Sequence, residues 1–295
     1  MDRTRLQALL DHAIAASLKA GHEILKIYET DFAVEHKKDN SPLTLADMNA
    51  HKTITVYLKE AEAVTDMSIP ILSEEGRDIT YEERRHWEYF WLVDPLDGTK
   101  EFIKRNGEFT VNIALVHKHN PVLGVIYIPV KDTLYFAAKT MGVYRLDSAF
   151  KIFPDDAATV RTASVSLNHP PVIGLDNPVR IVGSRSHSNP IVDEFIGRIR
   201  DSFGDVEFLS AGSSLKFCLI AEGSAILYPR FGPTMEWDTA AGQAIVECSG
   251  GRVLDIRTGN PLMYNKEVLK NPHFIATGNL ADNTLKGLLE LFSRR

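Results

Sequence analysis

The chain has 295 residues, 44% of them apolar, with a net charge of −6 and a pI near 5.9. That length suits one large or two fused domains with a sizeable core. The acidic balance excludes nucleic-acid binding through bulk charge, so an anionic small substrate needs metal ions or a few placed Lys and Arg side chains.

Leu6, Leu9, Leu10, Ala13, Ile14, Leu18, Ile24, Leu25 and Tyr28 recur at three- and four-residue steps and predict a long amphipathic helix. A polar segment follows, and a second helix is expected from Thr44 to about Ala63. Ile69 to Ser73 reads as a short strand, and the charged run from Arg77 to Glu88 as an exposed excursion. Phe90 to Val93 is the next strand. From Phe109 to Leu146, four β-rich runs separated by turn residues predict an antiparallel meander. Residues 147 to 178 carry four prolines and little periodicity. A junction is expected there, dividing an N-terminal α+β domain, 1–150, from a C-terminal α/β domain, 151–295. In the second half, strands are expected at Arg180–Gly183, Val206–Leu209, Ala225–Tyr228 and Phe274–Thr277. Helices are expected from Ser188 to Phe203, Ser213 to Glu222, Asp238 to Cys248 and Ala281 to Phe292. Ser188 and Pro190 serve as cap and first turn. Alternation of this kind implies a layered α/β fold with a mixed sheet.

Cys218 and Cys248 are the only cysteines, both in apolar stretches. That argues against a disulfide framework and for a reducing cytoplasm. The N-terminus does not read as a secretory signal, and no stretch reaches the length of a membrane span. Peripheral contact with the cytoplasmic face of an inner membrane stays open.

Carboxylates stand at four element ends: Asp47, Glu74-Glu75, Asp94 with Asp97, and Asp238. Each has a plain reading. Thr44 and Asp47 resemble a capping box. Glu74-Glu75-Gly76 is an ordinary solvated turn, and Asp238 an N-cap favoured by the helix dipole. Asp94 and Asp97 resist this, because a strand of four large apolar residues ends there in gathered charge. Repulsion must be offset by protonation or a cation. Metal-assisted phosphate chemistry accounts for the set, since Mg²⁺ takes carboxylates, water and substrate phosphate. Asp94 suits a bridge between two ions. Pro95 leaves the Leu96 carbonyl free for a metal. Gly98 lets the backbone approach a phosphate, and Thr99 offers a hydroxyl at a helix start. An Asp-x-Asp-Gly-Thr phosphatase with a covalent aspartyl intermediate is excluded, because Pro95 stands where the nucleophile belongs. Zinc is disfavoured, with no paired His or Cys at ligand spacing.

Together, Asp94-Pro95-Leu96-Asp97-Gly98-Thr99, Trp237-Asp238-Thr239-Ala240-Ala241-Gly242, Glu74-Glu75 and Ser41-Pro42-Leu43-Thr44-Leu45-Ala46-Asp47 resemble the inositol monophosphatase superfamily of Mg²⁺-dependent, lithium-sensitive phosphatases. The likeness covers nearly the whole chain. Residues 213–218 (SSLKFC), 228–234 (YPRFGPT) and 183–187 (GSRSH) resemble its 3′(2′),5′-bisphosphate nucleotidases of CysQ type. Met235 departs from the Ser or Thr expected before Glu-Trp, a change read as local packing.

The resemblance implies an α-β-α-β-α sandwich. It implies removal of the 3′-phosphate from adenosine 3′,5′-bisphosphate (PAP), and action on its sulfated analogue PAPS, clearing a by-product of sulfate assimilation. It implies a first Mg²⁺ on Glu74, Asp94 and the Leu96 carbonyl, and a second on Asp94, Asp97 and Asp238; a third ion stays open. Asp47 and Thr99, with Glu74, would orient and deprotonate the attacking water. Glu75 would lie near the metals without being a main ligand. The phosphate would meet Glu74, Leu96, Asp97, Gly98, Thr99 and Asp238, and the nucleotide His187, Ser213, Lys216 and Arg230. The plain reading of Lys216 is an exposed helix lysine. Inositol monophosphate or a sugar bisphosphate is the alternative substrate, and a non-catalytic nucleotide sensor the alternative of another class. Monomer and homodimer both stay open.

Overall fold

The computed structural model describes residues 1–30, 42–153, 156–167, 175, 178–184 and 190–293. Its first elements are α1 (Arg3–Tyr28) and α2 (Pro42–Thr65), which pack against each other. Their apolar stripes bury Leu9, Ala13 and Ile24 on one and Ala50, Ile54 and Leu58 on the other. Asp2 caps α1 by accepting a hydrogen bond from Arg5 N at 2.9 Å. Next come β1 (Ile71–Ser73), α3 (Tyr81–Arg84), β2 (Tyr89–Asp97) and α4 (Thr99–Ile103). The meander is β3 (Thr110–His117), β4 (Asn120–Ile128), β5 (Thr133–Ala138) and β6 (Gly142–Asp147), followed by α5 (Ala149–Ile152), α6 (Ala157–Ala163) and β7 (Val165–Ser166). The remaining elements are β8 (Val179–Gly183), α7 (Pro190–Phe203), β9 (Val206–Ser210), α8 (Leu215–Ala221), β10 (Leu227–Arg230), α9 (Ala240–Cys248), β11 (Arg252–Asp255), β12 (Phe274–Thr277) and α10 (Asp282–Ser293).

The first sheet runs β1 to β7 in chain order. Only β1 joins in parallel, on β2; the other pairs are antiparallel. The second sheet has the order β11-β12-β10-β8-β9. Its β10-β8-β9 side is parallel and its β11-β12-β10 side antiparallel, so it is mixed as expected.

Strand β4 shows how the layers form. Leu123, Val125 and Tyr127 pack into the core shared with α1, while Ile126 and Ile128 pack into the core shared with α8 and α9. Both faces are buried, so alternation disappears and the strand reads as a continuous apolar run. Helices α8 and α9 also pack on the second sheet. That sheet's far side is covered by α7 and α10 through Phe195, Ile199, Leu285 and Leu288. The layers are therefore α-β-α-β-α.

Several local expectations need correction. Helix α2 begins at Pro42, so Thr44 and Asp47 lie inside it and form no capping box. Strand β2 continues through Asp97, with a register shift between Asp94 and Asp97 in place of a turn. The excursion from Arg77 to Glu88 holds α3, whose Arg84 is only 2% exposed. Short strands β7 and β11 escaped the sequence reading. The expected cap Ser188 lies outside the described residues. Among those residues no helix is long and apolar enough to cross a membrane.

Helix α9 approaches β4 at Gly124. A Cβ there would collide with the Ala241 carbonyl oxygen and stand 2.9 Å from the Ala244 Cβ. Gly197 on α7 has open space where its Cβ would be. Gly124→Ala should therefore lower stability by about 1–3 kcal/mol. Gly197→Ala should raise it by about 0.4–1 kcal/mol. Denaturant midpoints of the two variants check the pair.

Candidate active site

The site starts from strand register. Ser73 pairs with Val93, and Glu74 N donates to Val93 O at 3.1 Å. The next residues along the two parallel strands, Glu74 and Asp94, thus arrive together. Asp238 comes from the turn before α9, where Met235 N donates to its Oδ2 at 2.8 Å. That bond uses a backbone N–H, so the turn does not depend on which side chain stands at 235. Asp238 is not the cap of α9; Thr239 occupies that position. Ligand oxygens of Glu74, Asp94 and Asp238 lie within 4.8 Å of one another.

Asp97 stands beside this trio, and its charge raises the pKa of Glu74, Asp94 and Asp238 alike. Asp94 is 1% exposed, and Leu96 N donates to its Oδ1 at 3.1 Å. Burial, then the carboxylates of Asp97, Glu74, Asp238 and Asp47, hold Asp94 well above the usual range. Asp238 is pushed up to about 7, by burial first and Asp97 second. Asp47 is pushed up to about 8 by burial and then by Glu75 and Glu74. Its Oδ1 is buried with no hydrogen-bond partner among the described residues. No hydrogen bond among those residues joins Asp47 to Thr99, although α2 and α4 pack together. Glu75 faces Asp47 instead.

A cluster of oxygen donors with no cation among its nearest members fits a hard divalent ion of the Mg²⁺ class. The raised pKa values express the same mismatch: protons take up charge that an ion would neutralise.

Gly98 sits between the acids and α4 with φ 95°. This is a left-handed conformation that glycine tolerates. A Cβ there would collide with Ser213 Oγ and come 3.3 Å from Phe109 Cα. Thr99 opens α4 with an exposed side chain. Ser213 Oγ donates to the Asp97 carbonyl at 2.9 Å, so its hydroxyl fastens the 213–216 turn to β2. Beneath it, Ser214 Oγ donates to Asn112 Oδ1 at 2.6 Å and meets Thr110 Oγ1 at 2.8 Å.

These bonds set the start of α8 and therefore Lys216. That side chain is 4% exposed, which overturns its reading as a surface lysine. Its Nζ donates to Ser213 O at 2.6 Å and Ala211 O at 3.3 Å and lies 5.4 Å from the Tyr228 ring centroid. Burial lowers its pKa to about 8, against the pull of Asp97. Arg230 donates from Nη1 to Ser184 Oγ and from Nη2 to Pro233 O, both at 3.2 Å. Asp97, Gly98, Ser213, Lys216, Arg230 and Asp238 all line one cavity of about 150 Å³. His187 lies outside the described residues. A larger cavity of about 790 Å³ beside α7 touches none of the acids.

A buried network that sequence reasoning missed ties the two sides of the acid cluster. Glu236, fully buried, accepts from Asn265 N at 2.6 Å and Lys266 Nζ at 2.6 Å. Asn265 in turn bonds Arg84 twice, through Arg84 Nη1 to Oδ1 and from Nδ2 to Arg84 O, each at 2.8 Å. Arg84 follows Glu74-Glu75 in the chain and Glu236 precedes Asp238, so the network spans the segments that present both. Glu236 lies in the motif beside Asp238, a signal available in the sequence. Asn112, a polar residue in the apolar run FTVNIALVH, was another.

The profile of the inositol monophosphatase family matches residues 5–291. The chain is 43% identical over 272 residues to the 3′(2′),5′-bisphosphate nucleotidase CysQ of Salmonella typhimurium, covering 91% of this chain and 99% of that one. It is 42% identical over 269 residues to the CysQ nucleotidase of Escherichia coli K12. The solved structure of CysQ from Bacteroides thetaiotaomicron superposes with a TM-score of 0.82 at 46% identity, over 94% of this chain and 98% of that one. An inositol monophosphatase from Zymomonas mobilis, at 22% identity and a TM-score of 0.72, shares the fold.

The raised carboxyl pKa values fix the sign of a pH effect in metal-free protein. A group raised from 3.8 in the unfolded chain stabilises fully below that value, and the benefit is lost as pH rises through the folded value. For Asp238 and Asp47 that window ends near pH 7 and 8. Chelator-treated protein should lose about 2–4 kcal/mol, or roughly 5–10 °C in Tm, between pH 5 and pH 8. Added Mg²⁺ should restore Tm at pH 8 and change it little at pH 5. Scanning calorimetry at both pH values, with and without the ion, checks this.

Proposed function

This chain belongs to the inositol monophosphatase family, and from that premise we propose that it hydrolyses the 3′-phosphate of PAP to AMP and phosphate, with PAPS as a further substrate. One observation carries the choice of substrate: two cations, Lys216 and Arg230, share a cavity with Asp97 and Asp238. An acid cluster holding a metal ion suffices for one phosphate. A second phosphate on the same substrate calls for positive side chains beside the first site, and Lys216 and Arg230 stand there.

Two Mg²⁺ ions are proposed, one on Glu74, Asp94 and the Leu96 carbonyl and one on Asp94, Asp97 and Asp238. When bound, magnesium supplies Lewis acidity that lowers the pKa of an adjacent water and offsets charge on the phosphoryl and leaving 3′-oxygens. Asp47 is the proton acceptor, because its Oδ1 is buried without a partner among the described residues and its proton affinity is raised. Thr99 orients the water through its exposed hydroxyl. Gly98 and Thr99 present backbone N–H groups to the phosphoryl oxygens. Lys216 and Arg230 hold the 5′-phosphate, and the dianion favours the charged form of Lys216, so binding takes up a proton near pH 8. Ser213 acts by holding the Asp97 carbonyl. His187 is proposed as a further nucleotide contact.

Purified protein with Mg²⁺ should release phosphate from PAP with a higher kcat/KM than from inositol 1-phosphate or fructose 1,6-bisphosphate. Asp94→Asn should lower kcat by at least about a hundredfold, from loss of several kcal/mol of charge stabilisation. Lys216→Met should raise KM for PAP by about 10- to 150-fold with a smaller change in kcat, as a charge-assisted bond worth about 1.5–3 kcal/mol requires. Metal-independent release, or preference for inositol 1-phosphate, would defeat the reading.

A further inference from the structure

Phe208 is a large apolar side chain left 42% exposed on β9, the edge strand of the second sheet. A single exposed phenylalanine is ordinary on a protein surface. Three features set this one apart. Its ring lies down on the neighbouring strand: a Cβ on Gly183 would stand 2.6 Å from Phe208 Cζ and 3.0 Å from Cε2. Glycine at 183 therefore makes room for the ring and fixes its tilt. The ring also lines a cavity of about 430 Å³, whose other walls include Ser184, Val192, Tyr228, Pro229 and Arg230. Finally, Ser184, Tyr228 and Arg230 belong equally to the smaller cleft that holds Asp97, Lys216 and Asp238. The cleft of the acids and two cations and the apolar wall bearing an aromatic ring thus adjoin through three shared residues. Arg230 stands at the join, with its buried Nε free of any partner among the described residues.

Resting on the phosphatase reading, we propose that Phe208 is the stacking platform for the substrate's planar heteroaromatic base. The acids and cations read phosphate, which an inositol phosphate or a sugar bisphosphate also carries. An aromatic face beyond them reads what only a nucleotide has. Stacking on an aromatic side chain is sequence-tolerant and strong, because every base presents a π-face.

The test is steady-state kinetics with Mg²⁺ on wild type, Phe208→Ala and Phe208→Tyr. The two substrates are PAP and ribose 3,5-bisphosphate, which lacks the base. Phe208→Ala should raise KM for PAP about 5- to 150-fold, the effect of removing one base–aromatic stack, with kcat changed less than threefold. The loss should be confined to PAP, and Phe208→Tyr should recover most of it. Unaltered kinetics on PAP in Phe208→Ala, or an equal loss on both substrates, overturns the proposal. Should wild type release phosphate from neither compound, the phosphatase reading fails by itself. Phe208 is then judged by the calorimetric Kd for AMP: weaker binding in Phe208→Ala supports the platform, and an unchanged Kd overturns it.

Discussion

Carboxylates forced together with too little counter-charge beside them are the constraint on which this structure turns. Parallel pairing of β1 on β2 delivers Glu74 and Asp94 side by side, and the turn before α9 adds Asp238. The burial of Asp94 makes the repulsion worse, since low dielectric both penalises charge and strengthens like-charge interaction. A chain selected for stability alone would not gather acids in this way. With the carboxyls ionised, a divalent cation supplies the charge that protons otherwise bring.

Much of the surrounding fold keeps those acids from moving apart. The Arg84–Asn265–Glu236 network is buried on every member, and its one carboxylate, Glu236, answers Arg84 and is paired directly by Lys266. Breaking one partner of such a network leaves a desolvated charge, which is costly. The Thr110–Ser214–Asn112 chain does similar work under Asp97, and Ser213 clamps the Asp97 carbonyl. Gly98 is required at the same point because its left-handed φ and the Ser213 hydroxyl leave no space for a side chain. Function and rigidity therefore share residues, in keeping with a site whose geometry must be set before substrate arrives.

The layered fold was legible because it rests on periodicity: three- and four-residue steps in α1, and closely spaced turns between β3, β4, β5 and β6. The acids were legible because charge at the end of a buried strand has few plain explanations. Lys216 was ambiguous because helix periodicity does not say that Asp97 and Tyr228 close over one face of α8. Arg84 was misread as surface because its partner, Asn265, lies 181 residues away, and no local pattern encodes that meeting. Phe208 passed unnoticed for the same reason. Its tilt depends on a glycine in the adjacent strand, and its neighbours Arg230 and Val192 come from elsewhere in the chain.

The most direct measurement is the anomalous diffraction of crystals grown with Mn²⁺ as the stand-in for Mg²⁺. Two peaks are expected, roughly 3.5–4 Å apart, one between Glu74 and Asp94 and one between Asp94, Asp97 and Asp238. Carboxyl oxygens with no anomalous peak among them at saturating Mn²⁺, or peaks confined to other parts of the surface, would contradict a cation-dependent acid cluster.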